Sequence, residues 1–112
     1  MRPKLIVTTE HFRVRNEYCT LISNLTGIPV DDIMGNSHKP DIALARFVLM
    51  WALQQLCGYS SILCGRLMSR HHATCLYGKR QINFGRLDQK TKDLVEYLSE
   101  YKTRKAVAQI IV

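Results

Sequence analysis

Arg66–Ile82 reads RLMSRHHATCLYGKRQI, with two histidines, a cysteine and four basic side chains in seventeen residues and no acid among them. Its neighbours set its local structure. Ser60 or Ser61 can cap a short helix over Ile62–Met68, the chain breaks near Ser69, and a second helix is expected from about Arg70 to Phe84. Cys75, Leu76, the stem of Lys79 and Ile82 fall on the inner side of that second helix, and Gly85 stops it. Two helices joined by a tight break form a helix-turn-helix candidate. The plainer reading of the same pattern is an αα corner with a solvated basic face.

Three chemistries compete for this stretch. With Cys57 and Cys64 included, the metal pattern is C-x6-C-x6-H-H-x2-C. Structural zinc sites bring their ligands in close pairs, and here Cys57 and Cys64 fall on different helices without a knuckle between them. A Cys–His nucleophile needs an orienting third group, and the region offers neither Asp nor Glu. No G-x-x-x-x-G-K-[ST] phosphate loop occurs, so the sequence supports no nucleotide chemistry, and no cofactor is expected. The third chemistry is anion recognition. Arg70, His71, His72 and Thr74 lie in the first turn of the second helix, where free amides and the positive dipole end favour phosphate. In a helix-turn-helix this is also the end that enters the major groove.

The whole chain supports the third reading. It has 112 residues and a net charge of +7, which suits one domain with a polyanionic partner. Between Ile42 and Leu87 there is no acid, while Arg46, Arg66, Arg70, Lys79, Arg80 and Arg86 all fall there. Charged residues interrupt every apolar run, so no membrane span is expected. MRPKLIVTTEHF is too short in its apolar part for a secretory signal, which makes a cytoplasmic address and reduced cysteines the expectation.

Working outward, Thr8–Leu25 reads as a helix capped by Thr8 or Thr9 and ended by Gly27. Pro29, Asp31 and Asp32 open a short helix that runs through Met34 to Gly35. GNSHKP is loop by composition, after which Asp41 is expected to cap a long, nearly all-apolar helix to about Cys57. Asp88–Lys105 is the last helix, with Leu87, Thr91, Leu94, Val95, Leu98 and Tyr101 on one face. KLIV at Lys4–Val7 and AVAQIIV at Ala106–Val112 are the only β-prone segments. They could pair as a short terminal ribbon or across a homo-oligomer, or the tail could extend the last helix. The fold class is all-α, one domain over residues 1–112 with a core at about 9–100.

These residues resemble the C-terminal, duplex-DNA-binding domain of the bacterial replication initiator DnaA, a helix-turn-helix of the Trp-repressor-like type. That family's signature reads roughly G-R-D-H-T-T-V-x-H-A. Here SRHHATCLYG places Arg70, His72 and Thr74 on it. ALARFVLMWAL is similar to A-R-Q-x-x-M-Y-L, with Arg46 on the family arginine. YSSILCGRLM is similar to L-S-L-P-E-I-G-R-x-F, and LISNLTGIPVDDIM to V-A-x-Y-F-x-I-x-V-x-D-L-L. The likeness runs over roughly Thr9–Glu100. It departs at His71, where the signature has aspartate, at Ala73, where it has threonine, and in a turn one residue shorter. The basic loop is reduced to His38 and Lys39, Gln54 stands where a phosphate-contacting lysine is common, and the family's ATPase module is missing.

The resemblance implies a stand-alone, non-catalytic protein that binds double-stranded DNA. His72 would contact a base, and His71 would occupy a base-contacting position with changed chemistry. Arg70 and Thr74 would hold phosphates; Arg46, Ser61 and Ile62 would touch the backbone beside the groove; Lys39 and His38 would approach the minor groove. The rival expectation is a protein-interaction module that kept the fold and lost sequence-specific DNA binding.

Overall fold

A computed structural model describes residues 5–111, with the backbone alone at Ile111. It is all-α, with six α-helices and one π-helical turn among the described residues. Helix α1 spans Thr9–Thr26. Thr8 caps it through a reciprocal pair, in which the His11 amide donates to Thr8 Oγ1 at 3.2 Å and the Thr8 amide donates to His11 Nδ1 at 3.1 Å. Gly27, at φ 77°, ends the helix in the left-handed conformation that glycine adopts without steric cost. Tyr18, Cys19 and Ile22, at spacings of three and four, form its buried face.

Helix α2, Val30–Met34, sends Ile33 into the core. Helix α3, Pro40–Trp51, is the central helix: Ile42, Ala45, Val48, Leu49, Met50 and Trp51 are all buried. Asp41 does not cap it as the sequence suggested. Pro40 takes the first helical position, because its missing N–H and fixed φ suit a helix start. The Asp41 carboxylate lies inside the first turn, accepting from the Ile42 amide at 2.9 Å. The helix continues into a π segment, Ala52–Leu56, where Gln54 is buried. Its amide donates to the Met50 carbonyl at 3.0 Å and, across the core, to the Cys75 carbonyl at 2.8 Å. The residue at the family's phosphate-contacting lysine position is thus an internal tie.

Helix α5, His72–Phe84, packs along α3, and α4, Ser61–Met68, packs against α5 and the π segment. The Ser60 hydroxyl caps α4, accepting from the Leu63 amide at 3.1 Å. Where α3 and α5 cross, Gly78 lets the backbones approach: a Cβ there would lie 2.8 Å from Met50 Sδ and 3.0 Å from Phe47 Cδ1. At the far end of the crossing, Trp51 Nε1 donates to Asn83 Oδ1 at 3.0 Å.

Helix α6 runs over Gln89–Ile111, with Thr91, Leu94 and Leu98 buried. Asp88 Oδ1 accepts from the Thr91 amide at 3.0 Å and so opens it. Glu17 on α1 accepts from Tyr101 Oη at 2.6 Å and pairs with Lys105 Nζ at 2.6 Å, tying the two helices together. The tail that the sequence marked as β-prone is helical through Ile111, six residues past the expected end at Lys105. No strand forms among the described residues. Extending a helix already formed costs little, and β-prone side chains favour a strand only beside a partner strand. Residues 1–4 and Val112, which complete the two β-prone segments, lie outside the described residues.

Candidate nucleic-acid interface

The turn between α4 and α5 is built by backbone hydrogen bonds. Ser69 adopts the left-handed region at φ 53°, and the Arg70 amide returns to the Gly65 carbonyl at 2.9 Å. Any side chain at residue 65 would collide with this return, since a Cβ would meet the Arg70 carbonyl oxygen at 2.6 Å. The tight turn postpones the second helix. It starts at His72 rather than near Arg70, with His71 extended at ψ 143° as its cap.

His71 Nδ1 accepts from the Ala73 amide at 3.1 Å. An imidazole nitrogen therefore caps the helix at the position where the family signature has aspartate, and it does so without adding negative charge. The His71 and His72 rings lie face to tilted face, with centroids 4.2 Å apart. His71, His72, Ala73 and Thr74 are all exposed. The first turn of α5 contains no acid.

The loop over residues 35–39 sits near this turn, reached by two arginines. Arg46, only 7% exposed, donates from Nε to the Ile33 carbonyl at 2.8 Å, from Nη1 to the Ser37 carbonyl at 2.9 Å and from Nη2 to the Asp32 carbonyl at 3.0 Å. Burial, and secondarily the positive charge of Arg70, hold the Arg46 guanidinium below its ordinary pKa. Arg70 Nη2 donates to the Gly35 carbonyl. His38 and Lys39 remain exposed at the end of the loop.

A family model for the bacterial DnaA protein helix-turn-helix matches residues 19–82. The chain belongs to this family. The matched residues reach from the second half of α1 to the last turn of α5, and so include every element that positions the turn just described. It is a DNA-binding helix-turn-helix domain, of a family that binds double-stranded DNA and is not catalytic.

On this DnaA-type domain the expected site residues fall into groups. His71, His72 and Thr74 come together on one exposed turn. Ser61, half-buried, and Ile62, exposed, begin α4. His38 and Lys39 share the loop. Arg46 does not join them at the surface, because its buried guanidinium is spent on the carbonyls of Asp32, Ile33 and Ser37. Sequence reasoning missed Tyr77, exposed and packed edge-on to Phe47 at 5.6 Å between ring centroids. Thr74, Tyr77, Gln81 and Phe84 recur at three and four along the outer side of α5, and that periodicity was available to find it. The Cys64 and Cys75 side chains turn inward and are fully buried. Hydrogen bonding to Cys75, together with burial, pushes the Cys64 thiol pKa up. Cys57 is half-buried beside Tyr18. Among the described residues no three His, Cys, Asp or Glu side chains gather, and no helix is long and apolar enough to cross a membrane.

Proposed function

We propose that this chain acts by itself as a duplex DNA-binding protein, with α5 as the recognition helix in the major groove. One observation carries the reading: an exposed, acid-free first turn with His71, His72 and Thr74 side by side, on the acid-free basic part of a DnaA-type domain. His72 contacts a base edge or a thymine methyl. The remaining nitrogen of His71 faces a neighbouring base while Nδ1 serves the cap. Thr74, Ser61 and the start of α4 at Ile62 lie against the sugar–phosphate backbone, and Lys39 with His38 approaches the minor groove. The reading involves no nucleotide, metal or catalysis, and it suits control of replication or transcription.

Selection from a random duplex pool tests it. Enrichment of a short motif supports recognition by α5. A pool that stays random contradicts it and favours the interaction module, which draws on the altered signature at His71 and Ala73. Copies would associate through the end of α6, where Ile110 is 83% exposed. Light scattering that holds at the monomer mass at all concentrations contradicts that part.

A further inference from the structure

We propose that Arg70 is a positioning residue, which fastens the loop over residues 35–39 to the helix-turn-helix so that loop and recognition helix meet DNA in one register. The inference rests on the DNA-binding reading for its consequence, though not for its geometry.

The Arg70 backbone is held first: its amide is bound to the Gly65 carbonyl at 2.9 Å, inside the tight turn that precedes α5. From that fixed point the half-buried side chain reaches the Gly35 carbonyl, thirty-five residues earlier in the chain. Arg46 reaches the same segment from α3 and holds the Asp32, Ile33 and Ser37 carbonyls. Two guanidiniums from two different elements thus grip the carbonyls of residues 32, 33, 35 and 37. These belong to the last turn of α2 and the loop after it, where the negative end of the helix dipole favours cations. Neither guanidinium has a carboxylate partner. Among the described residues, the ion pairs join only Arg13 and Lys105 to Glu10 and Glu17.

The loop has little else to order it. Apart from the two arginines, the side-chain hydrogen bond within it is a local one, from the Lys39 amide to Ser37 Oγ at 3.3 Å. GNSHKP has no apolar residue to bury except Pro40, so an unfastened loop would sample many conformations. A loop ordered before binding spares the complex that entropy cost. Arg46 spreads its guanidinium fork over three carbonyls, whereas Arg70 meets the Gly35 carbonyl through the single nitrogen Nη2, at the far end of its side chain. Arg70 thereby acts through Lys39 and His38 rather than as an independent phosphate contact.

Two measurements on the full chain test this. The first needs no DNA: amide hydrogen exchange in the parent and in Arg70→Ala. The two loop amides that donate hydrogen bonds, Gly35 to the Asp32 carbonyl and Lys39 to Ser37 Oγ, should exchange roughly ten- to a hundredfold faster in the variant, the size of one lost charge-assisted hydrogen bond. Amides in the middle of α3 and α5 should keep their rates, which also shows that the variant is folded. If the alanine variant melts early, Arg70→Lys takes its place, since it keeps the charge and stops one bond short of the Nη2 position that meets Gly35. The second is a double-mutant cycle on duplex binding with Lys39→Ala. Arg70→Ala should weaken binding by itself and add little once Lys39 is gone. Unchanged loop exchange together with fully multiplicative losses would overturn the proposal and return Arg70 to a direct phosphate contact. If the parent itself does not bind duplex, the DNA-binding reading fails while the exchange result still decides the role of Arg70.

Discussion

On the proposed reading, His71 combines two tasks in one ring. Nδ1 caps α5 through the Ala73 amide, and the outer nitrogen is left to face a ligand. His71→Ala should therefore lower stability by about 0.5–1 kcal/mol, the ordinary cost of a lost N-cap, measured as a shift in the urea midpoint at constant slope. A midpoint that does not move means that the cap contributes nothing. Among the described residues the exposed His72 side chain makes no hydrogen bond that would be lost with it. His72→Ala should leave the midpoint alone and reduce discrimination at one base position by about 1–3 kcal/mol, read by competition between single-base variants of the selected site. The candidate turn was legible in the sequence, since its residue types and their place after a break follow from local chemistry. The roles of the two arginines were not. A basic side chain in an acid-free segment reads as a phosphate contact, and nothing local reveals that carbonyls from α2 and its loop will occupy Arg46 and Arg70.

Among the elements, the crossing of α3 and α5 fixes where α5, the proposed recognition helix, points. Gly78→Ala would gain helix propensity but place a methyl against Met50 Sδ and Phe47 Cδ1. Overpacking of this kind typically costs about 1–3 kcal/mol and should outweigh the gain of about 1 kcal/mol, so the melting temperature should fall. A variant that melts higher would mean that Met50 moves aside freely. The α1–α6 tie responds to pH. Partial burial raises the Glu17 carboxyl, but hydrogen bonds from Lys105 and Tyr101 outweigh it and leave its pKa below the ordinary value. The tie therefore contributes stability above the usual carboxylate range and loses it as pH falls through the lowered value. Glu17→Gln should destabilise at neutral pH, and its deficit against the parent should shrink on acidification; a deficit independent of pH contradicts the assignment. The face of α6 was legible from spacings of three and four, the burial of α3 from its nearly all-apolar sequence, and Thr8, Ser60 and Gly27 from their capping chemistry. The π segment was not, because Gln54 finds the Cys75 carbonyl only once α5 is packed. For the tail the sequence left a ribbon and a helical extension open, because β-propensity says little where no second strand is available, and the extension is what forms.

Over the whole molecule, charge and fold agree. A chain of net charge +7 keeps a long acid-free segment, and the DnaA-type fold brings the exposed turn of that segment to the surface beside the basic end of the 35–39 loop. Lys39, Arg66, Arg80 and Arg86 are exposed cations available to phosphates, while Arg46 is not. The central claim is that this surface binds duplex DNA through phosphates and reads it with α5. The most direct test is the affinity for the selected duplex and for a scrambled one, each measured across a series of salt concentrations. With about four phosphates engaged, at a log–log slope of about −0.9 each, both duplexes should show slopes near −4, with the selected site tighter throughout. An affinity that does not change with salt, or that is equal for the two duplexes at every concentration, contradicts the account.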